Sequence, residues 1–250
     1  MYYREPVDWL QRDDELITAL NGLVEEFPRS GFWKYAGVLS NRDYPWNHKR
    51  IYRVYCALGL NLPRRRKRRL PERHPVPLVV PQCANQVWSA DFMSDALYQG
   101  GRFRLFNVLD DFNREAVAIE VDTSLRAERL VRVFERLKAE RGLPDMLRVD
   151  NGPEFLGQVF VDWCQANGIC IDYIEPGKPN QNAFIERFNR SLRNEVLDLY
   201  LFRNLAQVRE MVSQWRRQYN EDRPHDALGG LPPAVYAANN LENSTLKLST

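Results

Sequence analysis

Between residues 61 and 84 the chain reads NLPRRRKRRLPERHPVPLVVPQCA, a stretch that resists burial in any packed core. Five of the fifteen prolines fall here, at 63, 71, 75, 77 and 81. Proline fixes φ and removes a backbone donor, so this segment reads as extended. Arg64, Arg65, Arg66, Lys67, Arg68 and Arg69 follow one another and would repel each other inside a fold. The segment therefore separates a front part from a body, as a basic, proline-rich linker over 61–84. Charge divides in the same place. Residues 1–80 carry 15 Lys/Arg against 9 Asp/Glu, while residues 81–250 carry 20 against 24. A formal net charge of only +2 conceals this split. Basic surfaces attract phosphate backbones, and acids clustered in the body suit a divalent cation. The plain reading of the six bases is a solvated charge run. Beside a helical front part, an arm that tracks phosphates is the better reading.

The front part is helical by period. Leu16, Leu20, Leu23, Val24 and Phe27 recur at helical spacing over 13–27, with Asp13 or Asp14 placed to cap the start. A turn at 28–31 leads to a second short helix over 32–40. A third spans 47–58, with Asn47 as its N-cap and Ile51, Val54, Tyr55 and Leu58 as its inner stripe. Lys49, Arg50 and Arg53 fall outside that stripe. Helix, turn and basic helix outline a helix-turn-helix unit over 10–60, with these three bases as DNA contacts. A plain three-helix bundle with a solvated basic face fits the pattern equally.

From residue 86 the pattern changes to strands. Alternation over 86–93 sets Val87, Ser89, Asp91 and Met93 on one face. Residues 103–109 are largely apolar, and 116–121 follow a short turn, so the three segments suggest an antiparallel meander. A helix over 126–140, a strand over 146–149, a helix over 154–167 and a strand over 169–173 come next. The loop 175–182 precedes helices over 183–199 and 204–219, and the polar tail 239–250 reads as frayed. This is a mixed α/β order. Asp110 and Asp111 read as hairpin-end residues, Glu154 as the start or cap of a helix, and His225 as a turn residue.

Several classes are excluded by composition. No apolar run approaches the roughly 18 residues of a membrane helix, so no membrane partner is expected. The opening MYYREPVDWL carries acids and lacks an apolar centre, unlike a secretory leader. Cys56, Cys83, Cys164 and Cys170 form no C-x-x-C pair, which points to a reducing cytoplasm rather than a disulfide scaffold.

Three acids remain. Asp91 lies mid-strand, Asp150 ends a strand and opens Asp-Asn-Gly, and Glu186 follows Ile185 on a helix, thirty-five residues after Asp150. Singly, each has an ordinary reading as an edge, turn or surface residue. Together they would repel unless a hard divalent cation lay between them.

These residues carry a resemblance. Asp91 in WSADFM, Asp150 in DNGPEF and Glu186 in QNAFIERFNR resemble the D,D(35)E signature of retroviral-integrase-like transposases. NVLDDFNRE, PGKPNQN, EVLDLYLF and YNEDRPH are similar to the second-frame product, OrfB, of IS-three family insertion sequences, over roughly residues 10–237. The resemblance implies a ribonuclease-H-like mixed sheet core over 85–225, following the all-α helix-turn-helix-like domain, with 226–250 as a C-terminal extension. It implies two Mg²⁺ or Mn²⁺ ions, with Asp91 serving both, Asp150 one and Glu186 the other. It also implies metal-dependent DNA end cleavage and strand transfer. Arg190 and Arg193, four and seven residues after Glu186, match positions that contact the DNA end in the family, with Lys178 and Asn182 nearby in sequence. An ordinary i,i+4 pairing of Arg190 with Glu186 is the competing reading. Expected partners are element terminal repeats, target DNA, further copies of the chain on DNA and an upstream-frame product, OrfA. The setting would be a bacterial cytoplasm, at the nucleoid. His48 and His74 have no matching Cys pair, so no zinc module is expected. Two other readings remain: a silent DNA-end-binding regulator of transposition, and a ribonuclease-H-like nuclease without strand transfer.

Overall fold

The computed structural model describes residues 12–61, 80–175 and 179–248. The six consecutive bases of the linker and Lys178 lie outside the described residues. The chain forms two compact units, Met1–Pro71 and Glu72–Thr250.

The first unit contains α1 (Asp14–Glu26), α2 (Phe32–Asn41) and α3 (His48–Ala57). Leu16, Leu20 and Leu23 of α1 are buried with Tyr35, Val38 and Leu39 of α2 and Ile51, Val54 and Tyr55 of α3. Asn47 caps α3 as its residue type suggests: its side chain accepts the Lys49 N–H at 2.9 Å. Asp13 stands at the cap position of α1, but its carboxylate makes no cap bond. Instead it is 2% exposed and accepts Arg50 Nε at 2.8 Å and Arg53 Nη2 at 2.6 Å. Arg50 and Arg53 are three residues apart, hence on one face of α3, and both reach the same acid. Charged donors outcompete a backbone N–H for that acid.

Burial pushes the Asp13 carboxyl upward, yet the hydrogen bonds and charges of Arg50 and Arg53 hold it below its ordinary value. Its ion pairs therefore stabilise this unit above the unfolded pKa of about 4, and that stabilisation is lost as pH falls through the lower folded value. Asp13→Ala removes two charge-assisted bonds, while the half-exposed arginines rehydrate. The expected cost at pH 7 is about 1–2 kcal/mol in thermal melting, shrinking in acid. An unchanged melting midpoint at pH 7 would contradict this account.

The second unit is built on one five-stranded sheet in the order β3-β2-β1-β4-β5. Its strands are β1 (Val87–Ala96), β2 (Arg102–Asp110), β3 (Ala116–Asp122), β4 (Met146–Val149) and β5 (Cys170–Tyr173). β1 to β3 form the antiparallel meander, while β4 pairs parallel to β1 and β5 parallel to β4. The helices are α4 (Ala127–Glu140), α5 (Gln158–Ala166), α6 (Ala183–Leu192), α7 (Leu205–Glu221) and α8 (Pro233–Leu248). One sheet face, with Trp88, Ala90, Phe106, Val108, Leu147 and Val149, packs on Leu130, Val133, Phe134 and Leu137 of α4 and on Phe160 and Cys164 of α5. The other, with Met93, Leu105, Leu109 and Val121, packs on Ile185, Phe188 and Leu192 of α6 and on Val208, Val212 and Trp215 of α7. Coverage of both faces explains the nearly unbroken apolar run of β2. At the β3 edge, Arg209 Nε and Arg216 Nη1 of α7 donate to the carbonyls of Val121 and Val117, at 3.0 and 2.7 Å. Those bonds occupy edge acceptors that another strand would otherwise pair with.

Three sequence expectations are corrected. First, α5 begins at Gln158 rather than 154. Phe155 is buried in the core, and Gly157 lies so close to α4 that a Cβ there would stand 2.8 Å from Ala127 Cβ. Glu154 therefore starts no helix and caps none; its carboxylate pairs with Arg104. Second, α6 ends at Leu192 and widens into a π-turn over Arg193–Leu197 instead of continuing as α-helix to 199. Third, the tail is helical through Leu248, because no glycine or proline interrupts it after Pro233 and Tyr236 packs on the Phe112 ring at 5.6 Å.

Candidate active site

Three elements meet on the α6 side of the sheet. Strand β1 is continuous through Asp91, whose register partner on β2 is Asn107. Ser89 pairs with Arg148 on β4 in parallel register. Asp91 lies two residues beyond that last pair on β1 and Asp150 two residues beyond it on the other chain segment, just past the end of β4, and the charge of Asp150 acts on Asp91. There Asp150 folds back over its own turn, its Oδ1 accepting the Gly152 N–H at 3.0 Å. That turn has no room to spare: a Cβ on Gly152 would lie 2.9 Å from Asp150 Oδ1.

Glu186 comes from the first turn of α6 and is exposed, although Ile185 and Phe188 beside it are buried. Asn189, three residues on and therefore on the same side of the helix, points at the sheet. Its Nδ2 donates to Asp91 Oδ2 at 2.8 Å. The other Asp91 oxygen accepts the Phe92 N–H at 2.8 Å. Asn189 in turn accepts from Asn107 Nδ2 at 2.7 Å.

The electrostatics fit that geometry. Burial, with added repulsion from Asp150 and Glu186, pushes the Asp91 carboxyl up to about 6, against the hydrogen bonds of the Phe92 N–H and Asn189. Asp91 therefore feels the charge of both other acids. Among the described residues, no three His, Cys, Asp or Glu side chains stand close enough to hold a metal ion as they are placed. Asp110 and Asp111 lie outside this group and are fully buried at the β2–β3 hairpin. Asp110 accepts from the Asn85 and Phe112 N–H groups and the Trp88 indole. Asp111 accepts from the Ser89 hydroxyl and Arg148, and burial pushes it up to about 6. These bonds make both acids structural.

The expected DNA contacts fare differently from one another. Lys49 and Arg190 are exposed. Arg50 and Arg53 are tied to Asp13. Arg193 donates to the Ser94 carbonyl at 2.9 Å and lies 3.4 Å from Asp95, so it ties the π-turn to β1. Asn182 is 4% exposed, with its Oδ1 buried and lacking a hydrogen-bond partner. His225 packs edge-on against the Tyr219 ring at 4.7 Å. Sequence reading missed Asn107 and Asn189. The available signals were an Asn interrupting the apolar run of β2, and an Asn three residues after Glu186.

Residues 11–68 match the model of an HTH-like domain, and residues 81–179 and 167–233 match two models of an integrase core domain. A 31.7 kDa protein of insertion element IS407 from Burkholderia multivorans is 40% identical over 227 residues, covering 90% of this chain and 82% of the relative. The chain belongs to the insertion-element transposases. A 39.2 kDa protein of insertion element IS476 from Xanthomonas euvesicatoria is 41% identical over 224 residues, 90% of this transposase and 65% of that protein's length. In fold, the transposase is similar to the catalytic core domain of the HTLV-2 integrase, solved in complex with magnesium. The TM-score is 0.50 at 19% identity, covering 62% of this chain and 98% of that one. That likeness is one of fold: a ribonuclease-H-like core, here preceded by a helix-turn-helix-like unit. The family is one of DNA-cutting enzymes of the DDE type. No described helix is long and apolar enough to cross a membrane.

Proposed function

We propose that the transposase cuts the ends of its insertion sequence and joins them to target DNA, using Asp91, Asp150 and Glu186 as metal ligands. What supports this reading is the family, together with the Asp150 turn held by Gly152 and the Asn189 bond that ties the helix of Glu186 to Asp91. Asp91 feels the charge of both other acids, and all three are hard oxygen donors, the chemistry a divalent cation neutralises. The donor set is one that would hold Mg²⁺ or Mn²⁺, two ions by the family resemblance, with Asp91, Asp150 and Glu186 as the residues that would hold them. When bound, such ions stabilise the attacking and leaving oxygens of a phosphoryl transfer.

The chain's own residues supply the rest. Asp91 presents its carboxylate from the rigid centre of the sheet. Asp150 does so from a turn held by its bond to Gly152. Glu186 stands on the open side of α6, where a DNA end can reach it, and Arg190, one turn further on, faces a phosphate there. Lys49 supports duplex contact from the helix-turn-helix-like unit at 10–60, and the basic linker at 61–84 adds phosphate contacts through Arg64 to Arg69. Lys178, Asn182 and Arg193 are assigned to the DNA end as well, Asn182 and Arg193 after release from their present packing. The catalytic core spans 85–225, and 226–250 extends it. Two ends must be brought together, so the working form is an oligomer on DNA, with the OrfA product as a further partner, acting in the bacterial cytoplasm at the nucleoid.

The test is a strand-transfer assay with a labelled donor end bearing a free 3′-hydroxyl and a supercoiled target. Joined products are expected. Hydrolysis without joining would replace this reading with a simple nuclease, and binding without either reaction would leave a regulator.

A further inference from the structure

We propose that Asn107 and Asn189 are positioning residues that fix the Asp91 carboxylate and hold the helix carrying Glu186 in register with it. The proposal rests on the metal-ligand reading of Asp91 above. Its basis is a chain of two amides running from the middle of β2, through α6, to Asp91.

The direction of that chain is dictated at its end. An ionised carboxylate only accepts, so Asn189 must turn its NH₂ towards Asp91. Its carbonyl then faces Asn107, which must turn its own NH₂ outward to meet it. The Asn107 carbonyl is left over, buried and with no hydrogen-bond partner. Asn107 is 0% exposed and interrupts the apolar run Leu105–Leu109 of β2. A leucine here would remove that orphaned acceptor but would leave Asn189 Oδ1 without its donor, so what the asparagine contributes is the orientation of Asn189.

Two consequences follow for the site. With Asn189 on one oxygen and the Phe92 N–H on the other, Asp91 is held at both ends and cannot rotate about its terminal bond without losing a partner. Asn189 lies three residues after Glu186, so the same bond pins the first turns of α6 against β1. The separation between Asp91 and Glu186 is then set by Asn189 rather than by apolar packing alone. Outer-shell partners of this kind typically change metal affinity or activity about 10–100-fold when removed.

The experiment uses the full chain with Asn107→Leu, Asn189→Leu and Asp91→Asn. Mn²⁺ affinity is read by electron paramagnetic resonance without DNA, beside thermal melting and strand-transfer kinetics. For Asn107→Leu we expect a modestly lowered melting midpoint, from the lost Asn189 bond, and Mn²⁺ binding about tenfold weaker. Its kcat should fall with an unchanged KM for the DNA end, and extra Mn²⁺ should restore the rate. Asn189→Leu should show the same losses, and it decides the matter if Asn107→Leu does not fold. Folded variants with wild-type Mn²⁺ affinity, beside an Asp91→Asn chain that has lost it, would overturn the positioning role alone. Equal Mn²⁺ binding by the wild type and Asp91→Asn would overturn the metal reading and this proposal with it.

Discussion

Glu186→Gln is expected to lower metal-dependent nicking of a terminal-repeat duplex by about 10³-fold or more, while leaving duplex affinity nearly unchanged. The substitution keeps size and helix propensity and removes one charge. Glu186 is exposed and makes none of the contacts that hold α6 down; Ile185, Phe188 and Leu192 do that. The melting midpoint should therefore stay within a degree or so of wild type, because an exposed, unpaired helix residue contributes little to stability. Rate and stability are thus separated by one variant. A Glu186→Gln chain that nicks at more than about a tenth of the wild-type rate would remove Glu186 from the chemistry.

Gly152→Ala is expected to cost about 10²-fold in rate through displacement of Asp150 rather than loss of any ligand. The added Cβ would meet Asp150 Oδ1 at 2.9 Å, with Glu154 Oε2 at 3.5 Å and Phe155 Cδ2 at 3.6 Å behind it. Glu154 is held by Arg104, whose guanidinium lies over the Phe92 ring at 4.3 Å, and Phe155 is core. The flexible partner is Asp150, so that carboxylate yields. The expected signature is a lower kcat and weaker Mn²⁺ binding with normal affinity for the DNA end. A wild-type rate would show that Asp150 need not sit where its turn now places it.

The front helices, the meander and the apolar stripes were legible because period and burial coincide. Leu130, Val133, Phe134 and Leu137 read as the inner face of one helix, and all four are buried. Asn47 read as a cap and is one. Legibility failed where a long-range polar contact overrode a local preference. Asp13 had the residue type and place of a cap, but two arginines some forty positions later take its carboxylate. Glu154 looked like a helix start, yet its partner Arg104 is on β2. The π-turn after Leu192 follows from packing of Val196 and Leu197 and from the tie of Arg193 to β1, none of which shows in a helical period.

The same distinction holds at the site. The spacing and flanks of Asp91, Asp150 and Glu186 marked the three acids, because each interrupts or ends a pattern. Spacing said nothing of Asn107 and Asn189, which act on each other across 82 residues of chain. Nor did it show that Arg193, expected as a DNA contact, donates to a carbonyl on β1.

The most direct measurement is a gel assay of the purified chain with a duplex carrying the element's terminal repeat, labelled at the strand to be cut, in Mg²⁺, Mn²⁺ or EDTA. Nicking at the 3′ end of the repeat is expected with either metal and none with EDTA. Nicking that persists undiminished in EDTA would contradict it.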